Sequence, residues 1–452
     1  MMFTRQGMRP RYSPMSGCVH LGVGGMMRVA GLVLVVEACV LADQPASAPA
    51  SQPAWQSLFN GRDLAGWHGV GGARWAVAGG EIVGQTGDGS YGWLVTDRPY
   101  DDFVFEFECR HEVAGNSGIQ FRSHVVDGVM YGYQAEFDPR PEHGTGGVYE
   151  QGGRGWLHKP DARGLAAMKP MEWNRYRIRA VGDHIQLFVN DVPTVDFRDT
   201  QARGGIIALQ IHSGQQPMTV RWRNLRIKEL SEGGAWMPIF DGRTLKGWHT
   251  QGEPDVWRVE EKAIVGELVK PSPYAYLVTD ASFGDFELKL HMRYETNSGN
   301  SGVFFWSTFP PQCARCEEVV RGLPRDVSVF KCPKCGHDKA VPLPQRVHIH
   351  GPQAEFAPPR QNTGGLYDAR IGRWINEDQF NEMMHRMHRF EEWNELRIIA
   401  AGKDVLVYLN GYRVSEVRGY DFPEEGQIAL QLHSGNAMRV RFKDLQVRRL
   451  GS

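Results

Sequence analysis

Two short patterns combine groups that hydrogen-bond and move protons: Gln134-Ala-Glu136 and Gln210-Ile-His212. Both recur later in the chain, as Gln353-Ala-Glu355 and Gln431-Leu-His433. Alternate residues of an extended strand point to the same side. Gln134 and Glu136 then share a face, as do Gln210 and His212, while Ala135, Phe137, Leu209 and Ile211 point the other way. Amides, carboxylates and imidazoles on one sheet face make a groove that suits a sugar, because they bond its hydroxyls. Tyr149 and Trp156, with Tyr367 and Trp374 in the later copy, are candidate rings to stack on its C–H face. A plainly solvated sheet face is the alternative. Recurrence of both pairs in halves that otherwise differ at many positions favours a site.

A second cluster is of another kind. Cys313-Ala-Arg-Cys316 and Cys332-Pro-Lys-Cys335-Gly336 are two C-x2-C knuckles separated by 15 residues. That spacing predicts one tetrahedral zinc on four thiolates, with no open position and hence a structural role. Two disulfides are the competing state in an oxidising compartment, although a disulfide within one C-x2-C knuckle is strained. His348 and His350 are expected on a strand leading to Gln353, not on the metal. No residue set in the sequence names a catalytic metal.

The elements that position these groups follow from a repeat. Leu58-Phe-Asn-Gly-Arg-Asp-Leu-Ala-Gly-Trp-His68 returns as Ile239-Phe-Asp-Gly-Arg-Thr-Leu-Lys-Gly-Trp-His249. Leu94-Val-Thr-Asp97, Asn116-Ser-Gly118 and Ile207-Ala-Leu-Gln-Ile-His-Ser-Gly214 return in the same order. The offset is 181 residues at Leu58 and Ile239 but 221 at Ile207 and Ile428. Most of that growth falls between Asn300-Ser-Gly302 and Gln353, where the four cysteines lie.

Each copy reads as strands. Phe103, Phe105, Phe107 and Cys109 alternate with polar residues or valine, matched by Phe286, Leu288, Leu290 and Met292. That period-two pattern makes Cys109 a buried small hydrophobe. Turns are expected at Gly182-Asp183, Asn190-Asp191 and Asn116-Ser-Gly118, with Asn116 and Asn300 also candidate ligand-binding amides. Helical periodicity is confined to Asn376–Phe390. The fold class is all-β: two tandem jelly-roll sandwiches, 55–231 and 236–450, with a zinc-ribbon-like insertion at 310–345.

Composition narrows the partners. The 452 residues carry 51 basic against 52 acidic side chains, so no polyanion such as nucleic acid is expected. Arg5, Arg9, Arg11 and Arg28 precede the apolar run Val29–Val36, too short to span a membrane. Residues 1–42 are expected to be a secretory leader cut after Ala42, with translation starting at Met1 or at Met26/Met27. A lipoprotein anchored through Cys39 is the alternative, and 43–54 (DQPASAPASQPA) reads as a Pro/Ala/Ser linker. Export to the periplasm, cell surface or medium is therefore expected.

Taken together, these elements resemble the 3-keto-disaccharide hydrolase family, in two copies. The likeness rests on Leu-Phe-Asn-Gly-x-x-Leu-x-Gly-Trp, Trp75-Ala-Val77, Gly115-Asn-Ser-Gly118 and the Gln-x-Glu strand. It continues through Thr145-Gly-Gly-Val-Tyr149, Glu172-Trp-Asn174, Phe188-Val-Asn190, the Gln-x-His strand and Trp222-Arg-Asn-Leu-Arg-Ile227. It covers nearly all of Trp55–Leu450 except the cysteine insertion. The resemblance implies a concanavalin A-like jelly roll and cleavage of glycosides already oxidised at sugar C3. A ketone there acidifies the C2 proton, so a base can remove it and expel the C1 substituent; water then adds if the outcome is hydrolysis. On that implication His212 and Glu136, with His433 and Glu355, are the candidate base and acid. Gln134, Gln210 or Asn116 would donate to the enolate oxygen, with Gln353, Gln431 and Asn300 as counterparts. Arg122 against Trp306, and Asp138 against Ala357, are differences that leave the copies free to take different substrates. A carbohydrate-binding module without catalysis, or a structural cell-surface module, are the alternative functions.

Overall fold

The protein is described by a computed structural model covering residues 54–451, except 141–142, 215, 231–233, 317–318, 320–329, 342–347, 360 and 381. The leader and the linker up to residue 53 lie outside the described residues. Gln52–Ser452 forms one compact unit.

Within it, four antiparallel sheets build two jelly-roll sandwiches of identical strand order. In the first, one sheet runs Val192–Arg198, His184–Val189, Asn174–Val181, Phe103–Val113, Thr219–Glu229, Glu81–Gln85, Arg74–Ala78. Its facing sheet runs Gly155–His158, Val148–Gln151, Val129–Phe137, Ser117–Val126, Ile206–Ile211, Gly92–Thr96, Trp67–Gly71. The period-two reading of Phe103, Phe105, Phe107 and Cys109 is matched: all four are buried between the sheets. Burial raises the Cys109 thiol pKa well above its usual value, as an inert core residue requires. Phe286, Leu288, Leu290 and Met292 take the same places in the second core. The expected turns at Gly182 and at Asn190-Asp191 form with positive φ.

Three local expectations fail. Asn116-Ser-Gly118 is not a tight turn: strand Ser117–Val126 begins within it. Gly118 is required for close approach, because a Cβ there would lie 2.6 Å from the Gln134 side chain. The Asn376–Phe390 helix is broken into a 3-10 turn, Glu377–Gln379, and one short helix, Glu382–Met387. Asn376 itself is tied into the sandwich, its amide donating to Ser415 Oγ (2.6 Å) and accepting from the Leu366 amide (2.9 Å). His348 and His350 precede the strand Pro352–Phe356 instead of lying on it. A further short helix, Ala162–Ala167, is capped by Asp161, whose carboxylate accepts from the Gly164 amide at 2.8 Å.

The sandwiches meet through charge. Asp101 of the first receives Lys289 Nζ (3.0 Å) and Arg397 of the second. Arg397 is 2% exposed and also faces Glu395 (3.2 Å) and Glu287 (3.6 Å). Burial pushes the Asp101 carboxyl up, yet Arg397 and Lys289 outweigh it and hold it well below the usual carboxylate range. Backbone bonds from the Arg203 amide to Gly411 O and from the Arg413 amide to Gln201 O, both 2.9 Å, fix the register between them. The Gln-x-Glu and Gln-x-His faces do not take part in this junction.

Candidate active site

Each copy holds a cavity on the outer face of the sheet that carries the Gln-x-Glu and Gln-x-His strands. The first, of about 290 Å³, is lined by Asn116, Gln134, Glu136, Tyr149, Trp156 and His212, joined by Tyr91, His143 and Gln151. The second, of about 380 Å³, is lined by Asn300, Gln353, Glu355, Tyr367, Trp374, Gln431 and His433, joined by Tyr274 and residues considered below. The sequence-predicted sets therefore converge, with one exception. Gln210 is fully buried behind the wall, its amide donating to Gln134 Oε1 at 2.9 Å.

Glu136 is 4% exposed. Asn116 Nδ2 donates to its Oε1, and Gln134 Nε2 donates to Oε2 at 2.8 Å. Gln134 is itself held by Gln120 (2.5 Å) and Gln210 (2.9 Å), both donating to its Oε1. A chain of amides thus aims one carboxylate into the cavity. Burial raises its pKa to about 7; the two amide donors oppose that rise and nearby Asp138 adds to it. In the second copy Gln353 Nε2 turns instead to Gln431 Oε1 (2.8 Å). Among the described residues Glu355 keeps the Asn300 donor alone, and burial raises its pKa to about 8. Burial is the main cause of the rise in both copies.

The histidines do not present a bare nitrogen. His212 Nδ1 lies 2.8 Å from the Ser213 carbonyl, which only accepts, so Nδ1 carries the proton. Nε2 then accepts from the Tyr91 hydroxyl at 2.9 Å. His433 repeats this with Ser434 O (2.9 Å) and Tyr274 (3.0 Å). Each pair can relay a proton between imidazole and cavity through the phenol. Of the aromatic candidates, Tyr149 and Trp156 meet edge to face at 5.6 Å, and Tyr367 and Trp374 at 5.4 Å. Arg122 and Trp306 occupy matching bulges with φ of 45° and 47°, buried away from both cavities. Their difference says nothing about substrate.

The residue pattern of the 3-keto-alpha-glucoside-1,2-lyase-like domain matches residues 54–228 and again 235–448. The chain belongs to this family. Solved structures similar to it include a candidate glycosyl hydrolase from Parabacteroides distasonis, at 19% identity over 39% of this chain and 100% of that one, TM-score 0.30. A carbohydrate-binding module from Bacillus subtilis matches at 19% identity over 37% and 98% of the two chains, TM-score 0.30. The Bacillus licheniformis β-glucanase matches at 12% identity over 49% and 100%, TM-score 0.32. None of the curated proteins matches the sequence.

Two members of the 3-keto-alpha-glucoside-1,2-lyase-like family thus lie in one chain, and their comparison shows what sequence reasoning missed. Tyr91 and Tyr274 stand three residues before the Leu-Val-Thr-Asp match, in Tyr-Gly-Trp-Leu-Val-Thr-Asp and Tyr-Ala-Tyr-Leu-Val-Thr-Asp. Extending that match backwards would have found them.

The four cysteines of the insertion also converge. Their Sγ atoms lie within 4.8 Å of one another, and all are free thiols. Cys313 pairs with Cys335 and Cys316 with Cys332, each at 3.6 Å. These contacts run between the two knuckles, as in a tetrahedron. Zinc–sulfur bonds of about 2.3 Å set a tetrahedral edge of about 3.8 Å. The Arg315 amide points at Cys313 Sγ (3.4 Å), and Gly336, with φ of 70°, closes the second knuckle onto Cys332 O (2.9 Å). The set is compatible with one closed metal site.

Proposed function

We propose that the protein cleaves glycosides already oxidised at sugar C3, with Glu136 or Glu355 as the base that takes the C2 proton. Electrons of the C2–H bond form the enolate, then a C1=C2 bond as the C1–O bond breaks. The departing oxygen takes the hydroxyl proton of Tyr91 or Tyr274, which turns from its histidine to give it; the phenolate regains a proton from water and the protonated glutamate returns one. The products are the unsaturated keto-sugar and the free alcohol; water addition converts the first to a keto-sugar. The observation that carries this reading is a buried carboxylate of near-neutral pKa, aimed by amides into a cavity it shares with a tyrosine–histidine pair. A base works best when its pKa lies near the operating pH. Asn116 and Gln134, expected to donate to the enolate, are engaged with the base itself and position it. The decisive experiment is turnover of a 3-keto-glucoside by the purified full chain; sugar binding with no turnover in any 3-keto-glycoside would make it a binding module.

The same reading sets the pH dependence. The base must be ionised, so kcat/KM rises with pH across the neutral range, around 7 to 8, whichever copy acts. A profile flat between pH 6 and 9 would remove both glutamates from the role.

We further propose that the chain is exported and that zinc fills the four-thiolate site. No helix among the described residues is long and apolar enough to cross a membrane. Metal analysis is expected to find one zinc per chain, with all four thiols becoming titratable only after chelation. Zinc removal loosens the insertion, because such sites draw their folding energy from the metal. Metal-free protein with no titratable thiol would show disulfides instead.

A further inference from the structure

We infer that the second cavity contains an apolar subsite for the group attached at sugar C1, so that this copy takes glycosides of aromatic alcohols. The inference rests on the glycoside chemistry proposed for the same site. Both cavities share the tyrosine–histidine pair, the asparagine–glutamate pair and the Tyr/Trp rings, then diverge on one side. Gln120 of the first copy pairs across its strands with Gln134; the matching partner of Gln353 is Phe304. Gln151, two residues beyond Tyr149, becomes Ala369, two beyond Tyr367. At these two positions amides give way to a ring and a methyl group; Gln120 itself is buried beneath the first cavity, whereas Phe304 reaches the second. Phe304 and Ala369 line the second cavity together with Tyr276, His348 and Ile349.

The cysteine insertion completes that wall. It departs after strand Ser301–Ser307 and returns just before Pro352–Phe356, at the position of the tight hairpin Asp127-Gly128 in the first copy. Thr308 and His350 tie its two legs by reciprocal backbone bonds of 2.9 and 2.8 Å. Phe309 from the outgoing leg and Ile349 from the returning leg pack with Tyr276 and Phe304 in one apolar cluster. Tyr276 meets Phe304 edge-on at 5.9 Å and Phe309 at 5.4 Å. Apart from the His348 imidazole and the Tyr276 hydroxyl, such a wall offers ring edges and methyl groups, which suits a flat aromatic group better than sugar hydroxyls.

The test uses the full chain carrying Glu136→Gln and Glu355→Gln, so that bound 3-keto-glucosides persist. Titration calorimetry compares phenyl with methyl 3-keto-glucosides, each as both anomers. One binding site is expected to favour phenyl by about tenfold, the yield of burying much of one ring. Phe304→Gln with Ala369→Gln removes that preference; Ala369→Gln alone, at the half-buried rim, weakens it without touching the core; Gln151→Ala leaves it. Equal affinity for phenyl and methyl at every site, no binding of either, or a preference that survives the double substitution overturns the subsite. Turnover by the unsubstituted chain is measured in parallel. A phenyl preference without turnover keeps the subsite and removes the cleavage reaction; turnover without the preference does the reverse.

Discussion

Glu136→Gln combined with Glu355→Gln lowers turnover of a 3-keto-glucoside by about 10²–10⁴-fold while the chain stays folded. That is the usual contribution of a positioned general base. Glutamine keeps the volume and one acceptor oxygen, so the amide chain from Gln210 through Gln134 retains most of its contacts. What it loses is the ability to take a proton. The single substitutions separate the copies: the one that carries the loss marks the active cavity, and equal partial losses mark two active cavities. Tyr91→Phe tests the other half of the mechanism. It leaves the ring packed against Trp93 (5.4 Å) and removes only the hydroxyl that joins His212 to the cavity. Its effect should fall on kcat and grow with the pKa of the leaving alcohol, since a poor leaving group needs the proton most. Full activity in both Glu variants would sink the proton-abstraction reading, whatever happened to binding.

Arg397→Met destabilises the folded chain by about 3–5 kcal/mol, the cost of leaving a buried charge cluster without its cation. Arg397 holds Asp101 of the other sandwich and faces Glu395 and Glu287 within its own. Without it, Asp101 keeps Lys289 at 3.0 Å as its cation, and the backbone bonds of the junction remain. Arg448 still bonds Glu287 at 2.7 Å, so part of the charge remains compensated inside the second sandwich. The pH dependence follows from the sign of the Asp101 shift. A carboxyl held below its ordinary pKa adds stability above that ordinary value, and the contribution fades as pH falls through the folded-state pKa. Acid should therefore narrow the difference between wild type and Arg397→Met. Urea denaturation at pH 7 reads the main effect; a midpoint unchanged by the substitution would show that Arg397 contributes no net stability.

Much of this architecture is legible without coordinates. Alternation at Phe103–Cys109 needs only the two-residue period of a strand, and it places the core face correctly. The internal repeat made Gln134, Glu136, Gln210 and His212 conspicuous because the same pairs survive in both copies. The failures have a common cause. Asn116-Ser-Gly118 has the composition of a turn, but the glycine is there because Gln134 crosses beside it. Gln210 shares a face with His212, yet the Gln134 side chain reaches over it from two strands away. Neither neighbour is close in sequence.

Sequence by itself therefore determined the all-β class, the duplication, the polar strand faces and the four-cysteine knuckles, since all of these are local periodicities or spacings. Only the tertiary structure decided which groups meet and in what state. It placed Tyr91 on His212, closed amides around Glu136, and wrapped the legs of the insertion against Tyr276 and Phe304. Hydrogen-bond direction and desolvation depend on what lies across the sheet, and they set the protonation chemistry of a carboxylate whose ordinary pKa would make it a weak base at neutral pH.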